Sequence, residues 1–154
     1  MTPLASSLKR ECDAISRFVG LLEKEHSALG AGKTDSLANI NADKITLIEE
    51  LNRLEAERIA LLPGVTNTQS KADILAWFAA HPVEQEASIL WGELLELARK
   101  ARELHTSNGA LVAILLQRTG EALDVLTQRQ KSQTLYRSDG QASAPTGSRI
   151  VDSA

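Results

Sequence analysis

Few residues in this chain are spaced to do chemistry. The stretch SALGAGKT, residues 27–34, invites comparison with a phosphate-binding loop. That loop, G-x-x-x-x-G-K-[ST], wraps backbone N–H groups around phosphate oxygens and needs glycine at its first position. Here the position is Ser27, and the segment follows a helical pattern where the loop requires a strand. GAGKT reads as a solvated turn. His26, His81 and His105 lie far apart in sequence, with no partner at metal-ligand spacing. His26 and His105 fall on or near packing stripes and read as interface residues. Cys12, the one cysteine, sits on an apolar stripe without the positive surroundings that mark a nucleophile, so it reads as a buried structural thiol. The carboxylates of Glu49, Glu50, Glu55 and Glu57 interleave with Lys and Arg on outward helical faces and suit i,i+4 pairing. No catalytic, metal or cofactor constellation emerges, and we expect a protein that is not an enzyme.

The elements carrying these residues are helices. The first pattern runs from Pro3 to Leu29, with Leu8, Ile15, Leu22 and Leu29 recurring every seventh residue and Leu4, Cys12, Val19 and His26 between them. Pro3 suits a first helical turn, and Gly30 and Gly32 suit its end. A second helix starts near Asp35, a good N-cap. Its stripe is Leu37, Ile40, Lys44, Leu47, Leu51, Leu54, Arg58, Leu61, and steps alternating three and four are those of a coiled-coil seam. Lys44 and Arg58 fall on that seam, where long stems can cover apolar neighbours while the charges reach water. Pro63-Gly64 closes it. A polar connector leads to ILAWFAA, a short helix whose Trp77 and Phe78 should cap one end of the core.

The third long pattern begins near Pro82-Val83, with Glu84 and Glu86 suited to the positive end of a helix dipole. Its stripe reads Leu90, Leu94, Leu97, Ala101, Leu104, Asn108, Leu111, Leu115, Arg118, Ala122, Val125. Asn108-Gly109 is a strong turn signal, and a break there would make a compact four-helix bundle. The stripe nevertheless crosses the pair without losing phase, and Gly109 costs a helix only ~1 kcal/mol relative to Ala. One uninterrupted helix is the better reading, and it places Asn108 on the seam as a register-setting polar residue.

The expected fold is all-α: an elongated antiparallel bundle or coiled coil of three long helices at about 3–30, 35–62 and 83–130, a short helix at about 72–80, and a C-terminal tail disordered by itself. Residues 1–130 would form the bundle domain and 131–154 a tail ordered on partner binding. Composition agrees: 43% of the 154 residues are hydrophobic, but only 3% are aromatic, which favours aliphatic helix packing over a sheet. A net charge of −3 disfavours nucleic acid and anionic membranes as partners. The lone cysteine, and the lack of a membrane-length apolar run or a signal-peptide stretch, point to the cytoplasm.

Lengths then set what stays uncovered. At ~1.5 Å per residue the first two helices are each ~40 Å long and the third ~70 Å. The late third helix should project, apolar on more than one face. Leu111, Val112, Leu115, Leu116, Leu123 and Leu126 are the candidate groove, and Leu135 and Tyr136 are an apolar pair in the tail that could fold over a bound segment. A surface of that kind needs a cover: a partner helix, the tail or a second copy.

Taken together, LLEKEHSAL, LANINADKITLIEELNRLEAERIALL, LWGELLELARKARELHTSNGALV and the closing TLYRSDGQASAPTGSRIVDSA resemble, in content and order, the FlgN-type flagellar export chaperones. The SNG centre and the LYxxxGQ…GSR tail carry most of the likeness; His105 departs from the family's centre motif, where a second Asn is expected. The resemblance implies a cytoplasmic chaperone of the flagellar type III export apparatus. Such a chaperone would bind the hook–filament junction proteins FlgK and FlgL, prevent their premature assembly and deliver them to the export gate and ATPase-associated components. It also implies a substrate-binding region in the late third helix and tail, with Tyr136, Gly140 and Gln141 in the tail motif and Tyr136 as a contact with the export gate. The alternative is a self-associating coiled-coil scaffold, a homodimer with no export substrate.

Overall fold

A computed structural model of the chain describes residues 1–65 and 70–137, with side chains through Lys131. Four α-helices follow in order: α1 (Pro3–Gly30), α2 (Leu37–Ala60), α3 (Lys71–Ala80) and α4 (Gln85–Arg137), with a 3₁₀ turn at Pro82–Glu84 before the last. No strand occurs among the described residues. The chain divides into two compact units, Met1–Val112 and Ala113–Ala154.

The helix ends follow from local chemistry. Thr2 caps α1 by accepting the Ala5 N–H at 3.1 Å, with Pro3 in the first turn. After Gly30 the chain reverses through Gly32 at φ +68°, where the Lys33 N–H reaches back to the Ala28 carbonyl at 2.9 Å. Asp35 is not the cap of α2. Ser36 holds that position, and its side chain makes no capping bond. Ser70 caps α3 through the Asp73 N–H. The last helix starts later than its pattern suggested, because Pro82–Glu84 closes as a tighter turn, with the Glu84 N–H donating to the His81 carbonyl at 2.9 Å. It then runs through Asn108 and Gly109 without interruption and continues to Arg137, past the expected end near 130.

In the first unit, cross-helix pairs give the directions. Arg10 meets Glu57, Arg17 meets Glu50, and Glu25 meets Lys44. One number rises as the other falls, so α1 and α2 are antiparallel. Thr2 meets Glu84, Cys12 meets the Leu90 carbonyl, and Glu25 meets Asn108. Both numbers rise, so α1 and the early part of α4 are parallel. The topology is up, down, up.

One end of the core joins Leu4, Leu8 and Cys12 of α1 to Leu90, Trp91 and Leu94 of α4, closed by Ile74 and Phe78 of α3. The short helix is held there by the Trp77 indole N–H, which donates to the Pro63 carbonyl at 3.1 Å. Val19, Leu22 and Ala101 continue the core further along, and Ile40, Leu47 and Leu54 bring in α2. The stripe on α2 ends differently from its pattern. Because the helix stops at Ala60, Leu61 turns outward and Leu62 takes the buried place.

Two polar devices lock this bundle. Arg58 is only 6% exposed, so its charge does not reach water as its position in the stripe suggested. Its Nε and Nη2 donate to the two carboxylate oxygens of Glu11 at 2.7 and 3.3 Å, and the guanidinium lies over the Trp91 ring at 4.9 Å. A buried arginine requires such a partner, because an unpaired charge in a core costs several kcal/mol. The second device centres on Asn108, 2% exposed. Its Nδ2 donates to the Leu22 carbonyl at 3.0 Å and to Glu25 Oε1 at 2.8 Å, while its Oδ1 lies 2.9 Å from His26 Nδ1. Both Nδ2 partners are acceptors, so Oδ1 must be the accepting end and His26 donates from Nδ1. Glu25 Oε2 accepts from Lys44 Nζ at 3.0 Å. Asn108 thus ties α4 to α1 and, through Glu25, to α2, the register role expected of a polar seam residue.

Candidate partner-binding surfaces

A binding surface here must be built from helix faces, since the first unit spends its conspicuous polar groups on itself. Cys12 is buried, its Sγ donating to the Leu90 carbonyl at 3.5 Å, and burial together with the nearby Glu93 and Glu11 carboxylates pushes its thiol pKa up to about 11. That is the opposite of an activated nucleophile. His81 stacks on Trp77 at 4.0 Å between ring centroids, and its Nδ1 donates to the Trp77 carbonyl at 2.7 Å. His105 is exposed, so it is not an interface residue within this bundle. His26 is exposed as well but keeps its bond to Asn108. Among the described residues no group of His, Cys, Asp and Glu is arranged to hold a metal ion, and no helix is long and apolar enough to cross a membrane.

The candidate residues on α4 divide by exposure. Leu111 is half-buried in the first unit, where it continues the stripe below Asn108, and Val112 beside it is exposed. Val112 borders a shallow groove with Leu29, Leu37, Ala38, Asn41 and Glu25. That groove lies where α1 ends and α2 begins, next to the Glu25–Asn108 lock.

The second unit is a different kind of surface. Leu115 is half-buried, whereas Leu116, Leu123 and Leu126 are 67%, 59% and 56% exposed. Ile114 and Val125 are exposed beside them. Ile114 was not singled out in the sequence, although it lies eleven residues, about three turns, before Val125 and shares its side of the helix. Some polar groups of this unit hold one another or the helix backbone. Gln117 Nε2 donates to Glu121 at 3.2 Å, and the Thr119 and Thr127 hydroxyls donate to the Leu115 and Leu123 carbonyls at 2.9 and 2.8 Å. The aliphatic side chains of this helix stay open. Leu135 and Tyr136 fall in the last turn of α4, and their side chains lie outside the described residues, as do Gly140 and Gln141.

The structure therefore separates the residues singled out by the sequence. Lys44, Arg58 and Asn108 are brought together with Glu11, Glu25 and His26 as locks of the bundle. Leu116, Leu123 and Leu126 are left available. Glu11 and Glu25 escaped the sequence reading, though a seam arginine and a seam lysine were signals that carboxylates must face them.

Comparison with known proteins points to one family. The family model described as FlgN protein matches residues 1–144. The chain is 27% identical over 146 residues to the flagella synthesis protein FlgN of Proteus mirabilis, covering 92% of this chain and 91% of that one. It is 26% identical over 145 residues to the flagella synthesis protein FlgN of Salmonella typhimurium, covering 93% and 92%. No solved structure matches the chain.

Proposed function

This chain belongs to the FlgN family, and on that premise we propose that it is a non-enzymatic export chaperone of the cytoplasm. It captures the amphipathic terminal helices of the hook–filament junction proteins FlgK and FlgL, keeps them from assembling early, and delivers them to the flagellar export gate and ATPase-associated components. The observation that carries this reading is the run of exposed aliphatic side chains at Leu116, Leu123 and Leu126 on α4. Open aliphatic stripes of this kind accept the apolar face of a second helix. That both relatives are flagella synthesis proteins supports the setting.

In this reading residues 138–154 order on the partner, Leu135 and Tyr136 at the end of α4 contact the bound helix, and the Gly140-Gln141 segment with Tyr136 engages the export gate. Titration calorimetry of the full chain against synthetic terminal segments of FlgK and FlgL tests it. Binding that weakens progressively in L116A, L123A and L126A is the expected result. Absence of binding, or a tight homodimer with no affinity for either segment, would replace the chaperone by a self-associating scaffold.

A further inference from the structure

The open face of the second unit is not purely aliphatic. At about 100° per residue, the apolar side chains of α4 beyond Val112 fill an arc from Ile114 and Val125 on one edge to Leu116 and Leu123 on the other. Arg118 and Arg129 lie inside that arc, about three turns or ~16 Å apart along the axis. Both are exposed, and among the described residues neither has an ion-pair or hydrogen-bond partner. The described acids of this unit do not serve them. Glu121 sits at the edge of the arc with its carboxylate bonded to Gln117, and Asp124 is on the opposite face.

A helix that closes over this arc must dehydrate two guanidinium groups. Without acceptors on the incoming surface, that burial is heavily penalised. The same chain shows the solution elsewhere: Arg58, on an equivalent position of the α2 stripe, is buried only because Glu11 meets it with both carboxylate oxygens. We propose that the late face of α4 selects an amphipathic helix whose apolar stripe is bordered by carboxylates placed to meet Arg118 and Arg129. The inference rests on the chaperone reading and specifies the chemistry of its partner. A second copy of this chain fits poorly, since two such arcs placed face to face would bring arginines together while Asp124 points away. The chain's own tail carries Asp139 and Asp152, and it is the competing occupant that the test must separate.

The test titrates FlgK and FlgL terminal segments into the full chain and into R118E/R129E and R118K/R129K, at low and high salt. A thermal melt of each variant is run alongside. The expected result is an unchanged melt, with affinity lost roughly tenfold or more in R118E/R129E and nearly kept in R118K/R129K, and with the salt dependence of binding reduced by the reversal. Replacing the carboxylates of the bound segment by lysine should weaken wild type and restore R118E/R129E. Wild-type binding that is indifferent to both reversal and salt overturns this inference and leaves the chaperone reading intact. No wild-type binding to either segment overturns both. Partner binding tightened to the same degree by D139N/D152N and by R118E/R129E would assign the arginines to the tail, and a homodimer dissolved by R118E/R129E would assign them to a second copy. Either result overturns the proposal.

Discussion

Arg58 and Arg118 occupy the same kind of place in their helices, a basic residue in an otherwise aliphatic stripe, and meet opposite fates. Arg58 is buried against Trp91 and held by Glu11, whereas Arg118 is exposed and no acid among the described residues meets it. The first unit has an α1 to lay over its stripe. The second unit offers the same pattern, and among the described residues nothing of its own covers it. A repeated aliphatic pattern therefore states that a face wants a partner, and where the described residues supply none we propose that the face binds one.

Five substitutions and one treatment sharpen or break this contrast. The largest effect is expected from E11Q, which leaves the Arg58 charge buried without its carboxylate and should cost about 3–5 kcal/mol of unfolding free energy by denaturant titration. R118Q should stay within about 0.5 kcal/mol of wild type in the same assay. Equal losses at the two sites would mean that the second unit is packed as tightly as the first. Next, L22A should cost about 2–5 kcal/mol, because Leu22 is fully buried. L123A should leave stability unchanged while weakening partner binding by about 1–3 kcal/mol if it is an anchor.

N108A should cost about 1–3 kcal/mol, since it strands Glu25 Oε1 and removes the acceptor of His26. Crosslinking between α1 and α4 in that variant would report any slip in register, and an unshifted pattern with full stability would remove the locking role. The smallest effect concerns Cys12. Its thiol is held well above the ordinary range by burial, so alkylation of the native chain should be slow at neutral pH and match an unfolded control only after unfolding. The sign follows from linkage: a raised folded pKa adds stability that is complete below the ordinary thiol range and is lost as pH climbs through about 11. Rapid native alkylation at neutral pH would contradict the burial of Cys12.

The helices themselves were legible because their signals are local. Heptad spacing in α1, the alternating steps of α2 and the unbroken phase across Asn108-Gly109 each describe one helix and need no neighbour. A turn pair such as Asn-Gly loses to that phase because the helix tolerates it at small cost, while Asn108 gains three hydrogen bonds once buried. The partners of the polar seam residues were not legible. Arg58 was expected to reach water along its stem, and Glu11 was not singled out at all. The last turns of α2 and the entry to α4 shifted for a related reason, since Leu62 and the Pro82–Glu84 turn answer to the packing of α3 at that end.

The sequence by itself determined that the chain is helical, which face of each helix is apolar, that Asn108 belongs on a seam, and that the aliphatic pattern persists beyond it. These are consequences of side-chain type at 3.6-residue spacing, a property of one helix at a time. Only the tertiary structure decided that α1 lies parallel to α4 and antiparallel to α2, that Glu11 answers Arg58 and Glu25 answers both Lys44 and Asn108, and that no described residue answers Arg118 and Arg129. Burial and charge pairing depend on what another helix brings to the same place, and a stripe read along one helix carries no information about its neighbour.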